Sequence, residues 1–164
     1  MSGHPAAPPL QAQSALSPAA VQHLAEARGA LGRGELEHAE RLLAHVLALA
    51  PTCTEAHRLA GIAALMGNNA AKAIEHLRHA LATRPDDPTL NMNLGSALIE
   101  TGAADAGLAY LQRASELAPQ DAASWYNLGK GLQFCARMES ARDALQQALS
   151  IEPAHLQARN TLAT

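Results

Sequence analysis

Residues 125–153, WYNLGKGLQFCARMESARDALQQALSIEP, decide the fold, because every other ordered segment reads as a copy of them. The landmarks are Trp125, Leu128, Gly129, Leu132, Ala141, Leu145, Ala148 and Pro153. A step back of 34 returns Asn91, Leu94, Gly95, Leu98, Gly107, Leu111, Ala114 and Pro119. A second step gives His57, Ala60, Gly61, Ala64, Ala73, Leu77, Ala80 and Pro85, and a third His23, Glu26, Ala27, Ala30, Ala39, Leu43, Val46 and Pro51. Pro51, Pro85, Pro119 and Pro153 therefore close four copies of one small-and-apolar pattern. Each copy holds two apolar runs of helical periodicity separated by a short turn.

Nearly half the residues are apolar, yet the aromatics are only Tyr110, Trp125, Tyr126 and Phe134. The apolar mass is Ala and Leu, both strong helix formers. β-Branched residues are sparse, so the expected class is all-α. A formal net charge of −3 without a basic run removes the electrostatic basis for nucleic-acid binding. Cys53 and Cys135 form no CxxC motif and suit a reducing compartment better than a disulfide scaffold. Residues 1–18 lack the basic start and apolar stretch of a secretory signal, and no apolar run approaches the length of a membrane span. A cytoplasmic protein with no membrane partner is the expectation.

Residues 1–17, with Pro5, Pro8 and Pro9, read as a disordered tail that has little apolar material to offset the entropy of ordering. The array occupies 18–164, with repeats at 20–53, 54–87, 88–121 and 122–155 and a partial fifth helix at 156–164. Ser17-Pro18 is a helix start, serine capping and proline at the first helical position. Gly34, Gly67-Asn68 and Gly102 mark the turns inside repeats 1 to 3. Asp87 and Asp121 are expected to cap the first helices of repeats 3 and 4. Repeat 4 turns at Cys135-Ala136 with neither glycine nor asparagine, which predicts a strained or rearranged corner. Glu26 stands where later copies have Ala60, Leu94 and Leu128, and fits only if the first helix has an open outer side. Gly107 replaces an alanine, costing about 1 kcal/mol of helix propensity while permitting close helix approach. In the fifth copy Leu156, Leu162 and Ala163 fall on the pattern.

A 34-residue period with these landmarks resembles the tetratricopeptide repeat. The resemblance covers roughly residues 20–164. It implies a right-handed α-solenoid of helix-turn-helix units in which each unit buries its face on its neighbours. Gly61, Gly95 and Gly129, with Ala73, Ala141 and Ala148, would let the two helices of a repeat cross closely. Leu77, Leu111 and Leu145 would fill the space between helix pairs. The family's concave side maps onto Arg28, then Glu55, Arg58, Ile62, Leu65 and Met66. It continues with Met92, Asn93, Ser96, Ile99 and Glu100, and ends with Tyr126, Asn127, Lys130, Gln133 and Phe134. Methionines and amphipathic aromatics among polar donors suit peptide contact. Ile62 and Leu65 have an equally good reading as packing between adjacent first helices.

Other chemistry is poorly supported by the sequence. His76-x₂-His79, with His45 one repeat before His79, lacks the third and fourth ligands of a zinc site and reads as a solvated helix face. No nucleophile elbow or phosphate loop occurs, so neither catalysis nor a cofactor is expected. Asn93 and Asn127 share one register, and an amide can donate to and accept from a peptide main chain at once. This resembles a short version of the asparagine ladder in the repeat domain of O-GlcNAc transferases, although Leu59 and Thr161 end it on both sides. The family's alternative mode, a clamp on a chain-terminal carboxylate, finds Arg58 and Asn93. Ile62, Ala123 and Asn127 stand at its other positions, and most of the required positive charge is missing.

These residues point to a protein-interaction module that holds an extended peptide or partner helix. Its expected site is Arg58, Met92, Asn93, Ser96, Tyr126, Asn127, Lys130 and Phe134. By resemblance alone, the alternative is the substrate-recruiting region of a larger bacterial glycosyltransferase or sulfotransferase. Self-association through the C-terminal edge is a further expectation.

Overall fold

A computed structural model describes residues 16–162 of the chain. Among these residues the elements are all helical. They are α1 (Pro18–Gly32), α2 (Leu36–Leu49), α3 (Thr54–Met66), α4 (Ala70–Thr83), α5 (Pro88–Glu100), α6 (Ala104–Leu117), α7 (Ala122–Phe134), α8 (Met138–Ile151) and α9 (Leu156–Leu162). The all-α solenoid expected from the 34-residue period is what the chain forms. Of the expected tail, residues 1–15 lie outside the described residues. Leu16 already packs against the first core cluster and the Ser17 hydroxyl accepts from the Ala20 N–H at 3.2 Å.

The helix ends follow local chemistry. Asp87 accepts from the Leu90 N–H at 3.0 Å, and Asp121 accepts from the Ser124 N–H at 3.0 Å and the Ser124 hydroxyl at 2.6 Å. Asn69, unread in the sequence, caps α4 through the Lys72 N–H. Each even helix ends two residues before its proline. Ala50, Arg84, Ala118 and Glu152 all leave the α region, as the steric demand of the following proline ring requires.

The turns inside the repeats are one motif used four times. Gly34 (φ 76°), Asn68 (φ 55°), Gly102 (φ 89°) and Ala136 (φ 57°) each take the left-handed conformation after the odd helix. The next N–H then reaches back to the helix: Glu35 to Ala30, Asn69 to Ala64, Ala103 to Leu98 and Arg137 to Leu132, all at 2.8–2.9 Å. In the Gly67-Asn68 turn only the asparagine is left-handed. Ala136 shows that the corner without glycine keeps the shared geometry and bears the strain, a left-handed alanine costing roughly 1–2 kcal/mol.

Side-chain volume sets the helix crossings. A Cβ on Gly61 or Gly129 would lie 2.7 Å from Cγ of Leu77 or Leu145, so these leucines fill the notch of their own helix pair first. Leu111 occupies the same notch beside Gly95 and also abuts Gly131 of the next repeat. The α5–α6 crossing is the closest, because Gly95 and Gly107 face one another. A Cβ on either would meet the other's carbonyl oxygen at 2.6–2.7 Å. The expected close approach at Gly107 is therefore present. Each odd helix packs against the next odd helix, whereas the even helices stand farther apart, α2 and α4 meeting through the long Lys72 side chain, which donates to Glu40 at 2.7 Å. The array thus bends with α1, α3, α5, α7 and α9 on its inner side.

Successive repeats are joined by a recurrent bond. His57 Nε2 donates to the Pro51 carbonyl at 2.8 Å, Asn91 Nδ2 to Pro85 at 2.9 Å and Trp125 Nε1 to Pro119 at 3.0 Å. Arg159 Nη2 donates likewise to Pro153. Four different side chains, one per repeat, supply an N–H to the carbonyl six residues earlier. The histidine series is correspondingly more structural than a solvated face. His76 is half-buried with its Nδ1 3.1 Å from His57 Nδ1, and His79 stacks on His57 at 4.6 Å, although His79 itself is exposed.

In α9 the expected register needs correction. Leu156 is 67 % exposed, Leu162 is half-buried against the last cluster, and Ala158 is fully buried. Ala158 stands one repeat beyond Ser124 and two beyond Leu90, both buried. Ala163 lies outside the described residues. Glu26 is exposed, as its open slot requires, and its carboxylate lies 3.0 Å from His38 Nε2. No helix among the described residues is long and apolar enough to cross a membrane.

Candidate functional site

The inner face is built by the outward sides of the odd helices, whose opposite sides are committed to the even helices. Met92 of α5 and Asn127 of α7 meet across the repeat boundary, Asn127 Nδ2 lying 3.2 Å from Met92 Sδ. The same amide donates to the Ala123 carbonyl at 2.8 Å. Asn127 therefore offers its oxygen as an acceptor but has its N–H groups engaged. Asn93 differs. It is half-buried, and among the described residues its amide makes no hydrogen bond; the half-buried Ser96 hydroxyl also makes none.

Farther along, Lys130 Nζ stands 5.7 Å from the Tyr126 ring centroid, and that ring lies 4.9 Å from the His155 ring. Both Lys130 and Phe134 are exposed, Phe134 by 67 %. Gln133 Nε2 reaches the Thr161 carbonyl at 3.4 Å, tying α7 to α9.

At the other end Arg58 is drawn into a network that the sequence did not disclose. Its Nε and Nη2 donate to the two Glu55 oxygens at 2.8 and 2.7 Å, and Arg28 Nη2 donates to Glu55 Oε1 at 2.7 Å. Hydrogen bonding from Arg58 is the main reason that the Glu55 carboxyl is held down to about 2, with Arg28 adding to it against the cost of burial. Arg84, from the end of α4, approaches the same carboxylate at 3.7 Å and Asp87 at 3.5 Å.

Three expected inner-face residues turn out to serve packing. Ile99 is buried, its side chain filling the space opened by Gly107 and Gly131. Ile62 and Leu65 pack half-buried against the first and second core clusters. Leu16, Ala20, Leu49, Pro51, Glu55 and Arg84 help line a cleft of about 760 Å³ at the junction of repeats 1 and 2. Among the described residues no cluster of three His, Cys, Asp or Glu side chains is placed to hold a metal ion. The arrangement presents guanidinium and carboxylate groups at one end, open amide and hydroxyl groups in the middle, and an aromatic–cationic patch at the other.

Family models described as tetratricopeptide repeat match residues 24–88, 64–130 and 122–155, overlapping into one continuous span. No curated protein sequence gives a match. Among solved structures, the chain resembles MamA (residues 41 to the end) from Desulfovibrio magneticus RS-1 at 23 % identity and a TM-score of 0.80, covering 90 % of this chain and 84 % of that one. A structure of pilF from Pseudomonas aeruginosa follows at 22 % identity and 0.78, covering 88 % and 66 %. In the Cut9–Hcn1 hetero-tetramer of the APC/C the match is at 20 % identity and 0.82, covering 88 % of this chain but 29 % of that one. At these identities the likeness establishes the fold alone. Over residues 24–155 the chain belongs to the tetratricopeptide repeat family.

Proposed function

We propose that this chain is a protein-interaction scaffold that takes an extended peptide or partner helix along the inner face of its odd helices. One observation carries the reading: the half-buried Asn93 amide, with no hydrogen bond among the described residues, beside Met92 and Asn127. A half-buried amide without a protein partner bonds to water in the free chain and gains from a ligand main chain that both donates and accepts. Asn93 would supply both halves of that contact and Asn127 the acceptor half. Ser96 adds a hydroxyl. Met92, Tyr126 and Phe134 supply adaptable and aromatic contact to ligand side chains, with Lys130 and Arg58 as flanking cations.

Support at the level of family comes from the repeat architecture and from neighbours such as the Cut9–Hcn1 assembly, in which a similar fold sits in a protein complex. At the far end, the exposed Leu156 gives self-association a surface. The reading is tested by placing a photo-crosslinking residue at Ser96 and, separately, at Gln146, which is exposed on α8. Proteins captured from a lysate at Ser96 and absent at Gln146 would support the inner face. Equal capture at both positions would refute it.

A further inference from the structure

Glu55 sits among three guanidinium groups. Arg28 and Arg58 close three hydrogen bonds of 2.7–2.8 Å onto it, from α1 and from the next turn of α3. Arg84 comes within 3.7 Å of Glu55 and 3.5 Å of Asp87 without closing a hydrogen bond to either. Asp87 is meanwhile committed to the α5 N-terminus. Each guanidinium carries five N–H donors, so most of the donors in this cluster have no carboxylate oxygen to meet. The side chains of Arg28 and Arg84 are 64 % and 45 % exposed, which leaves those donors accessible. Glu55 and Arg84 also border the cleft between repeats 1 and 2, which the apolar Leu16, Ala20, Leu49 and Pro51 line as well.

We propose that Arg28, Arg58 and Arg84 form a docking point for an acidic side chain of a peptide partner, and that Glu55 holds that place when no partner is bound. The proposal rests on the inner face being a peptide site and names the chemistry it selects there. Local charge complementarity carries it: three cations meet one fully engaged carboxylate and part of another, in a chain whose net charge of −3 disfavours acidic peptides elsewhere. Guanidinium–carboxylate bonds are short, directional and stronger than neutral ones, so the cluster would distinguish glutamate from glutamine. Glu55 competes with the incoming carboxylate, which gives the proposal an unusual sign: removing an acidic residue strengthens binding.

The experiment is fluorescence anisotropy with a labelled octaglutamate peptide, blocked at both ends so that side chains carry its only carboxylates, and an octaglutamine control. Wild type should prefer octaglutamate. Glu55→Gln should tighten octaglutamate binding about tenfold, the worth of one freed charge-assisted contact, without changing the control. Arg84→Ala, which breaks no closed hydrogen bond and leaves the fold intact, should weaken octaglutamate binding several-fold. Circular dichroism verifies the fold of each variant. No octaglutamate binding by wild type or Glu55→Gln up to millimolar concentration overturns the proposal, as does unchanged or weaker binding by Glu55→Gln, or no effect of Arg84→Ala. Equal binding of both peptides would overturn the acidic docking point while leaving the inner-face reading intact, whereas failure of the Ser96 crosslink would remove the inner-face reading and with it the peptide setting of this docking point.

Discussion

The Gly95–Gly107 crossing makes a quantitative prediction about what holds α5 against α6. Replacing Gly95 by alanine adds one carbon that would lie 2.7 Å from the Gly107 carbonyl oxygen and 3.0 Å from the Leu111 nitrogen. Backbone cannot rotate aside as a side chain can, so the helices must separate. Overpacking of this kind costs typically 1–3 kcal/mol, set against about 1 kcal/mol gained in helix propensity. A net loss of up to about 2 kcal/mol is expected for Gly95→Ala, and similarly for Gly107→Ala. Gly61→Ala should lose less, because its obstacle is the flexible Leu77 side chain. Gly32→Ala, with no atom within 4 Å of its added Cβ, should be neutral or stabilising by up to about 1 kcal/mol. Once the helices have been forced apart the second carbon costs less, so Gly95→Ala/Gly107→Ala should fall short of the sum of the single losses. Urea unfolding of wild type and these five variants, followed by circular dichroism, supplies the comparison. Equal losses at Gly32 and Gly95, or strict additivity of the pair, would refute the crossing as described.

Three other expectations follow from the same geometry. Ala136→Gly should raise stability by about 1 kcal/mol by relieving a left-handed alanine, read as a higher urea midpoint. Ala158→Glu should lower the melting temperature by placing a charge in a fully buried position, whereas Leu156→Glu on the same helix should leave it unchanged. The His57–His76–His79 stack should make the repeat 1–2 junction acid-sensitive. Burial, and next the proximity of His57, push the His76 pKa down from 6.5, with Lys72 and His79 adding to the fall and Glu75 opposing it. The unfolded chain then binds more protons, so stability falls as pH drops below about 6.5. His57→Asn, which mimics the Asn91–Pro85 bond, should keep the junction and flatten this dependence in melts between pH 7.5 and 5. An unchanged slope would count against the stack as its source.

Much of this architecture is legible in the sequence, because capping and turn chemistry are local. Ser17, Asp87 and Asp121 announce helix starts, and Gly34 and Gly102 announce turns, from their immediate neighbours alone. The misread positions depend on residues distant in the chain. Ile99 looked like a surface residue of the inner face, but glycines at 107 and 131 leave space that draws it inward. His57 and His76 are 19 apart and meet only once α3 folds onto α4. Arg84 joined the Glu55 cluster because the proline turn carries the end of α4 beside the start of α3. One signal was present and went unread: a side chain with an N–H donor six residues after each of Pro51, Pro85, Pro119 and Pro153.

Titration of a partner peptide identified through the Ser96 crosslink, against wild type and Asn93→Ala, measures directly whether the inner face holds a ligand main chain. Each main-chain contact is worth about 0.5–1.5 kcal/mol, so losing the donor and acceptor contacts of Asn93 together should lower affinity about 5- to 150-fold. Asn127→Ala should cost less, since its N–H groups are already engaged. The loss at Asn93 should be alike for ligands of different sequence, whereas Tyr126→Ala and Met92→Ala should change which sequences bind. Wild-type affinity in the Asn93→Ala/Asn127→Ala double variant, with its helix content intact, would contradict the claim that the inner face grips a peptide by its main chain.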